Sequence, residues 1–269
     1  MVANIFQNQQ TGNLVELLNA GSYDELIVKS ESRLQAHPLD NDALLFRGIA
    51  FFYKAVGEFD AEERSPYMDE AIFSLRKSAL KDTGRWSGEA DYVLGKAYFH
   101  KGKYYYDLAI QYLERSIQGG YVGPDTYEYL GLAFANLNQP AEALSRFKKA
   151  LETRPTDLLY LTVGQLHINL EQPNEAERLL KQTIASSQDS IVEKRSRFLL
   201  GELYLDRADY TAALEQYEEL TALDPSSADA FFYLGMAFEG LDDYVKARAA
   251  WRKARSLDPE HRGANLRLR

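Results

Sequence analysis

The sequence predicts an all-α protein made of about seven helical hairpins in tandem. Three observations lead to this prediction: a glycine that recurs with a near-regular period, an alanine that follows it, and large side chains in the same register. Such periods are typical of arrays in which each repeat buries its apolar face against its neighbours. A length of 269 residues suggests one or two globular domains, and a hydrophobic share of 45% is ample for a folded core.

The recurring glycine marks the first helix of each repeat. Successive copies are 47, 36, 33, 37 and 34 residues apart, and in the last four repeats the alanine follows after 12 residues. A glycine inside a helix costs about 1 kcal/mol relative to alanine. We therefore expect it where two helices approach closely, facing the alanine of the second helix. The glycines are Gly48, Gly95, Gly131, Gly164, Gly201 and Gly235, and the alanines are Ala71, Ala109, Ala143, Ala176, Ala213 and Ala247.

Large side chains keep the same register, three residues after each glycine and four after each alanine. Apolar residues between these landmarks fall at helical spacing, which predicts two amphipathic helices per repeat. We place all eight prolines at joints, with Pro66 just before a second helix, because a residue without an amide donor does least harm there. The large residues are Phe51, Tyr98, Phe134, His167, Tyr204 and Phe238, then Leu75, Leu113, Phe147, Leu180, Tyr217 and Trp251.

Two segments, 124–155 and 228–259, resemble the tetratricopeptide-repeat consensus at every signature position. The first has Tyr127, Leu130, Gly131, Phe134, Ala143, Phe147, Ala150 and Pro155, and the second has Phe231, Leu234, Gly235, Phe238, Ala247, Trp251, Ala254 and Pro259. Four weaker copies are in register with them. The resemblance covers about residues 11–261 and implies a right-handed α-solenoid.

The domain prediction follows from these repeats. We expect an N-terminal tail at 1–10, a single solenoid over 11–261 and a basic C-terminal tail at 262–269. The hairpins are expected near 11–40, 41–82, 88–121, 124–156, 157–189, 194–227 and 228–261, and the first of them is degenerate.

Two hairpins depart from the period. In the second, 23 residues separate Gly48 from Ala71 where 12 are usual, and we expect its first helix to continue to about Glu63. The third adds two residues near the tyrosines at 104–106. Insertions in repeat proteins commonly lie on the binding face, so one interpretation is a docking surface. The interpretation that we favour is family drift with buried aromatics, since loops tolerate insertion at little cost.

Two joints lack the usual aromatic residue four positions before the glycine. Asp91 stands there in one repeat and Arg197 in another. The repeat that begins at Asp157 also ends in Ser187 and Gln188 where proline is usual. We expect these joints to be looser than the others.

The resemblance implies that the first helices line a concave groove for a partner. Its apolar and aromatic character suits an amphipathic helix or an extended segment; the alternative is that about half of the aromatics are inter-repeat core. The predicted partner-binding residues are Leu45, Ile49, Phe52, Tyr53, Tyr92, Lys96, Phe99, His100, Asn136, Asn169, Phe198, Leu205, Phe232 and Met236, and further positions on the same face are Glu128, Leu132, Leu161, Gln165, Ile168, Glu202 and Glu239. Some relatives clamp a terminal carboxylate with lysine and asparagine, and that pattern is absent here.

Charge and composition limit the classes of partner that we expect. With 31 basic and 40 acidic residues the net charge is −9, which disfavours nucleic acid. Residues 244–269 carry eight basic and two acidic residues. This basic end would suit an acidic partner, a lipid surface or a second copy of the chain, although we favour a solvated last helix.

We expect no enzymatic activity, no cofactor and no metal. The chain has no cysteine, its four histidines lie in different repeats, and neither a phosphate-binding glycine loop nor a catalytic motif stands out. No signal peptide and no membrane-spanning apolar run are visible. This favours a cytoplasmic protein, or alternatively a periplasmic or membrane-anchored domain whose leader is not in this chain.

Two functions remain open. The first is a protein–protein interaction scaffold or adaptor that holds a partner peptide or helix in the groove. The second is a structural or assembly subunit of a larger bacterial complex, such as a cell-envelope, secretion or motility apparatus, with self-association left open. An enzyme or a small-molecule binder ranks third, since arrays of hairpins lack the enclosed pocket that enzymes prefer.

Overall fold

The computed structural model describes residues 12–80 and 86–269, and within them every regular element is a helix. The predicted tail at 1–10, and residues 81 and 82 at the end of the second predicted hairpin, lie outside the described residues. Consecutive helices pack in pairs, which confirms the all-α class and the tandem hairpins.

Two compact units make up the chain, with the boundary at the predicted joint before Pro155. Each unit is therefore described by itself, and the single solenoid expected over 11–261 stays a prediction. Unit 1, which ends at Arg154, contains α1 (Gly12–Asn19), α2 (Tyr23–Ala36), α3 (Asn41–Gly57), α4 (Ala61–Ala79), α5 (Ser87–Lys101), a short 3-10 helix (Lys103–Tyr105), α6 (Tyr106–Gln118), α7 (Thr126–Asn136) and α8 (Pro140–Thr153). Unit 2 contains α9 (Asp157–Asn169), α10 (Pro173–Ser186), α11 (Ser190–Asp206), α12 (Tyr210–Leu223), α13 (Ala228–Gly240), α14 (Tyr244–Leu257) and α15 (Arg262–Arg267).

The recurring glycine makes room for a large side chain, a contact that the expectation of a facing alanine did not include. A Cβ atom placed on Gly131 would lie 2.5 Å from Cδ1 of Phe147, and one on Gly235 would lie 2.3 Å from Nε1 of Trp251. The residue that meets the glycine stands four positions after the alanine, one helical turn further along the second helix. Because its ring extends across the hairpin, only a residue without Cβ leaves space for it.

The insertion in the second hairpin lengthens both helices, and the first ends at Gly57, so the expected extension of the first helix to Glu63 is wrong. α3 ends at Gly57, and α4 begins at Ala61 after Asp60, whose carboxylate accepts a hydrogen bond from the amide of Glu62 at 2.8 Å. Glycine disfavours helix continuation and aspartate is a strong N-cap. These two local signals outweigh the apolar period that continues past them.

Pro66 lies inside α4, which corrects the expectation that every proline stands at a joint. It occupies the second turn of the helix, where its amide would otherwise bond to the carbonyl of Glu62. The lost hydrogen bond is close to the N-terminus, where four amides already lack partners within the helix. The lengthened helix therefore tolerates it.

The three consecutive tyrosines of the third hairpin have different environments. Tyr105 stacks on Tyr98 with ring centroids 6.0 Å apart, and Tyr106 lies 5.3 Å from Phe99. Tyr104 is 80% exposed. Two of the tyrosines are therefore packing residues and one faces solvent.

Polar contacts replace the aromatic residue at the two unusual joints. Asp91 is 5% exposed and accepts two hydrogen bonds from the guanidinium of Arg115, one of them 2.6 Å long. Arg197 donates to Glu193 at 2.9 Å and to Gln216 at 3.4 Å. Charged contacts thus occupy the places where looser packing was expected.

The predicted basic tail at 262–269 forms a helix over most of its length, which is α15. Its N-cap is His261, whose Nδ1 accepts a hydrogen bond from the amide of Ala264 at 3.1 Å, while Nε2 donates to Asp229 at 3.0 Å. Ala264 is fully buried. The capping histidine and the buried alanine give this segment the two anchors that a solvated tail lacks.

Candidate partner-binding surfaces

The fourteen predicted partner-binding residues divide into buried and accessible ones. The buried ones are Leu45, Ile49, Phe52, Tyr92 and Lys96, all in unit 1 and none more than 8% exposed. Their burial favours the core interpretation for these five, and their contact with a partner stays a prediction. The accessible ones are Tyr53, Phe99, His100 and Asn136 in unit 1 and Asn169, Phe198, Leu205, Phe232 and Met236 in unit 2.

A buried lysine occupies the centre of the first-helix face in unit 1. The ammonium of Lys96 donates to Asp125 at 2.8 Å, and the hydroxyl of Tyr92 donates to the other carboxylate oxygen. The rings of Phe52, Tyr92 and Tyr129 surround the ammonium, with centroids 5.6, 5.1 and 4.9 Å from Nζ. This is the geometry of an aromatic cage for a cation. We call these five residues the filled face, because the cage already holds a cation of this chain.

Electrostatics keep the groups around the filled face in one protonation state. Burial, and then the carboxylate of Asp125, raises the pKa of Tyr92, so its hydroxyl remains a donor. Burial, and then the ammonium of Lys96, lowers the pKa of His100, which favours the neutral ring. Nε2 of His100 lies 2.9 Å from the hydroxyl of Tyr129. The filled face is therefore a satisfied polar cluster.

The accessible aromatics of unit 1 lie beside the filled face. Tyr53 stacks on Tyr23 with centroids 5.3 Å apart, and Phe99 meets Tyr129 edge-on at 5.1 Å. Asn136 is exposed and donates to a carbonyl of its own helix. Unit 1 thus offers a strip of half-buried rings at these positions.

Unit 2 has a cleft of about 790 Å³ on its first-helix face. α9, α11 and α13 supply most of its walls. The apolar part of the lining is Ile168, Leu199, Leu203, Leu205, Tyr233 and Met236; the acidic part is Glu202, Asp206, Glu239 and Asp242; and Gln165, Tyr210 and Gly240 complete it. We call this set the open cleft.

The remaining predicted residues of unit 2 support the open cleft without lining it. Phe198 lies edge-on to Tyr233 at 5.1 Å, and Phe232 packs against His261 at 5.0 Å. Asn169 accepts a hydrogen bond from Gln165 at 3.4 Å. Of the five accessible predictions in unit 2, Leu205 and Met236 are the two that line the open cleft.

Each carboxylate of the open cleft has its own surroundings. Burial raises the pKa of Glu202, and a hydrogen bond from Tyr233 opposes that shift. Glu239 pairs with Arg267 of α15 at 2.9 Å. Asp242 is the left-handed residue of the α13–α14 turn, with φ 61°, and accepts from a tyrosine hydroxyl at 3.0 Å. Among the described residues, the carboxylate of Asp206 has no hydrogen-bond or ion-pair partner.

Sequence reasoning missed part of this cleft. Asp206 stands one helical turn after Glu202, and that spacing would have identified it as a member of the same face. Tyr233 and Asp242 carried no such signal, since one stands at a core-like position and the other in a turn. In the part of the chain that the structure describes, no group of histidine and acidic side chains is arranged to hold a metal, and no helix is long and apolar enough to cross a membrane.

Comparison with known proteins agrees with this architecture. A family model described as tetratricopeptide repeat matches residues 92–157 and 198–262. No curated protein matches the sequence. The C-terminal part of a TPR repeat-containing protein from Cytophaga hutchinsonii has a TM-score of 0.73 at 18% identity, over 96% of this chain and 98% of that one.

Two further solved structures share part of the fold. MamA from Desulfovibrio magneticus RS-1 has a TM-score of 0.56 at 21% identity, over 65% of this chain and 97% of that one. BtubC from P. vanneervenii has a TM-score of 0.58 at 17% identity, over 75% of this chain and 92% of that one. At such identities the likeness concerns the fold alone.

Proposed function

Because this chain belongs to the tetratricopeptide-repeat family, whose members generally mediate protein–protein interaction, we propose that it is a non-enzymatic scaffold that holds a segment of a partner protein. The open cleft of unit 2 is the observation that supports this function most strongly. Its partners are proteins, and the net charge of −9 argues against nucleic acid.

The shape and lining of the open cleft suit a helix or an extended segment. Its volume lies within the range of ligand-binding clefts, and three successive first helices supply most of its walls. Ile168, Leu205 and Met236 are only partly buried, so a partner that covers them gains hydrophobic free energy. Methionine also adapts its shape to different apolar surfaces.

The strip of aromatic rings in unit 1 is a secondary contact surface. Tyr53 and Phe99 are partly buried, and their rings are held by neighbouring rings before any partner binds. Rigid aromatic side chains lose little entropy on binding and are enriched among residues that dominate interface energy.

Site-specific photo-crosslinking would test the proposal. A benzophenone side chain would replace Met236 inside the open cleft, and a matched one would replace Val245, which is 83% exposed on α14 and outside it. We expect position 236 to give a discrete crosslinked partner in the native host and position 245 to give none. The substitutions Leu205→Ser and Met236→Ser should abolish the crosslink without loss of helicity. Equal crosslinking at both positions would contradict the proposal.

A structural subunit that packs against copies of itself is the second candidate. The outer face of α14 favours it, since Val245 and Tyr244 are 83% and 58% exposed beside exposed cations such as Arg248 and Arg252. Light scattering after size-exclusion chromatography separates the two candidates. The scaffold predicts a monomer at micromolar concentration, and the structural subunit predicts a concentration-dependent larger species.

A further inference from the structure

The charge of the open cleft has one sign. Its lining contains Glu202, Asp206, Glu239 and Asp242, and no lysine or arginine. Glu202 and Asp206 stand one helical turn apart on α11, so they belong to the same face of that helix. Like charges on the walls of a cleft raise the local concentration of the opposite charge.

Two of these carboxylates, Glu202 and Asp206, form no ion pair among the described residues. Burial raises the pKa of Glu202, which means that its ionised form is poorly solvated where it stands. Asp206 has no ion-pair partner among the described residues. Arg195 donates to Gln165 at 3.5 Å and attracts the carboxylate of Glu202, but in the described part of the chain it forms no ion pair with that carboxylate. A cation supplied by a ligand would therefore gain more here than at a carboxylate that is already paired.

The chain itself contains an example of the group that this cleft accepts. Arg267 of α15 pairs with Glu239 at 2.9 Å, and its guanidinium lies 5.6 Å from the ring centroid of Trp251. An arginine on a partner can bind a carboxylate in the same way. Apolar side chains lie beside the acidic ones, so the same partner must also present an apolar stripe.

We propose that the open cleft of unit 2 binds a basic amphipathic segment of a partner protein, with an apolar stripe against Leu205 and Met236 and lysine or arginine beside it for Glu202 and Asp206. This inference rests on the proposed function and specifies the chemistry of the partner. Repulsion from the carboxylates of Glu202 and Asp206 disfavours an acidic segment.

Selection from a random 16-residue peptide display library tests this proposal directly. The bait is the full chain, compared with a charge-reversed variant that combines Glu202→Lys and Asp206→Lys. The matched control combines Glu215→Lys and Glu219→Lys on α12, which have the same spacing, the same charge change and no place in the cleft lining. Circular dichroism establishes that all three are equally helical.

We expect the selected peptides to combine apolar residues at helical spacing with flanking lysine or arginine. The best of them should bind the cleft variant about tenfold or more weakly, about 1.4 kcal/mol, and the control variant within about twofold. Added salt should weaken the interaction with the unmodified chain.

Other outcomes would overturn the inference and are distinguishable from one another. Apolar peptides without basic flanks that bind the charge-reversed variant but not Met236→Ser would refute the charge argument and leave the proposed function standing. A selection that yields no peptide dependent on any cleft residue would refute both. Concentration-dependent self-association that is lost in the charge-reversed variant would assign the cleft to a second copy of the chain instead.

Discussion

The residue that follows the repeat glycine is buried at one position of unit 1 and partly exposed at two positions of unit 2. In unit 1 the residue after the repeat glycine of α5 is Lys96, which is 8% exposed and held by a carboxylate and three rings. In unit 2 the same position holds Glu202 and Met236, which are partly exposed and line a cleft of about 790 Å³. A single position, repeated along one fold, thus produces either a filled face or an open one.

A second repeat position shows the same contrast. Tyr129 and Tyr233 both stand two residues before the repeat glycine. The ring of Tyr129 lies 4.9 Å from the ammonium of Lys96, whereas the hydroxyl of Tyr233 interacts with the carboxylate of Glu202. At equivalent positions the fold thus carries a cation buried among rings in unit 1 and a partly exposed carboxylate in unit 2.

Removing the ion pair of the filled face should cause the largest loss in the free energy of unfolding. Asp125→Ala would leave the buried ammonium of Lys96 without its carboxylate, and we expect a loss of about 3–5 kcal/mol in the free energy of unfolding. Lys96→Met should cost clearly less, because Asp125 keeps its hydrogen bond from Tyr92 and a side-chain exposure of 20%. Urea denaturation of both variants and of the double variant measures this asymmetry. Equal losses in the two single variants would contradict the caged arrangement.

Substitution of the repeat glycine by alanine should change stability less than the loss of Asp125, and by different amounts at two positions. Gly131→Ala in unit 1 places a Cβ 2.5 Å from the ring of Phe147, and we expect a loss of about 1–3 kcal/mol. Gly164→Ala in unit 2 places it 3.3 Å from Leu180, a contact that a small shift relieves. There the helix propensity of alanine should offset the contact and leave stability within about 1 kcal/mol. Thermal unfolding midpoints of the pair test this, and a larger loss at position 164 would show that the packing has been misjudged.

The smallest expected change in stability comes from Tyr217, which lies beneath the open cleft. Tyr217 is fully buried, and its hydroxyl has no hydrogen-bond partner among the described residues, whereas unit 1 has Phe147 at the same repeat position. Tyr217→Phe should therefore raise stability by about 1 kcal/mol, since an unpaired buried hydroxyl is costly. Tyr204→Phe is the control, because its hydroxyl lies 3.1 Å from Glu177 and its removal should lower stability. A loss at both positions would indicate that the hydroxyl of Tyr217 is satisfied.

The hairpins were predictable because their signals are local. The spacing from Gly131 to Ala143 and the apolar residues around them identified both helices and the turn between them, and the helices lie where the period placed them. The end of α3 was also encoded locally, in Gly57 and Asp60, but the prediction weighed the apolar period above these two signals. The register of the glycine was predicted, and its contact with the ring of Phe147 was not.

The accessibility of the predicted binding residues was less predictable than the positions of the helices. Phe52 and Lys96 stand at groove positions by repeat register, yet both are buried. The ammonium of Lys96 donates to Asp125, which lies in a different part of the chain. Conversely, Asp206 and Tyr233 line the open cleft although the groove prediction did not include them. Register identifies the face of a helix, but accessibility depends on what the neighbouring helices place over that face.

The sequence by itself determined the class of this protein and most of its helices and turns, because helical period, caps and glycine act within a few residues of one another; the turn of the second hairpin was misplaced. Only the tertiary structure decided that unit 1 fills its first-helix face with Lys96 while unit 2 leaves an acidic cleft around Asp206. The physical reason is that burial and charge pairing depend on side chains some 30 residues apart, such as Lys96 and Asp125 with a separation of 29. No local pattern contains that information.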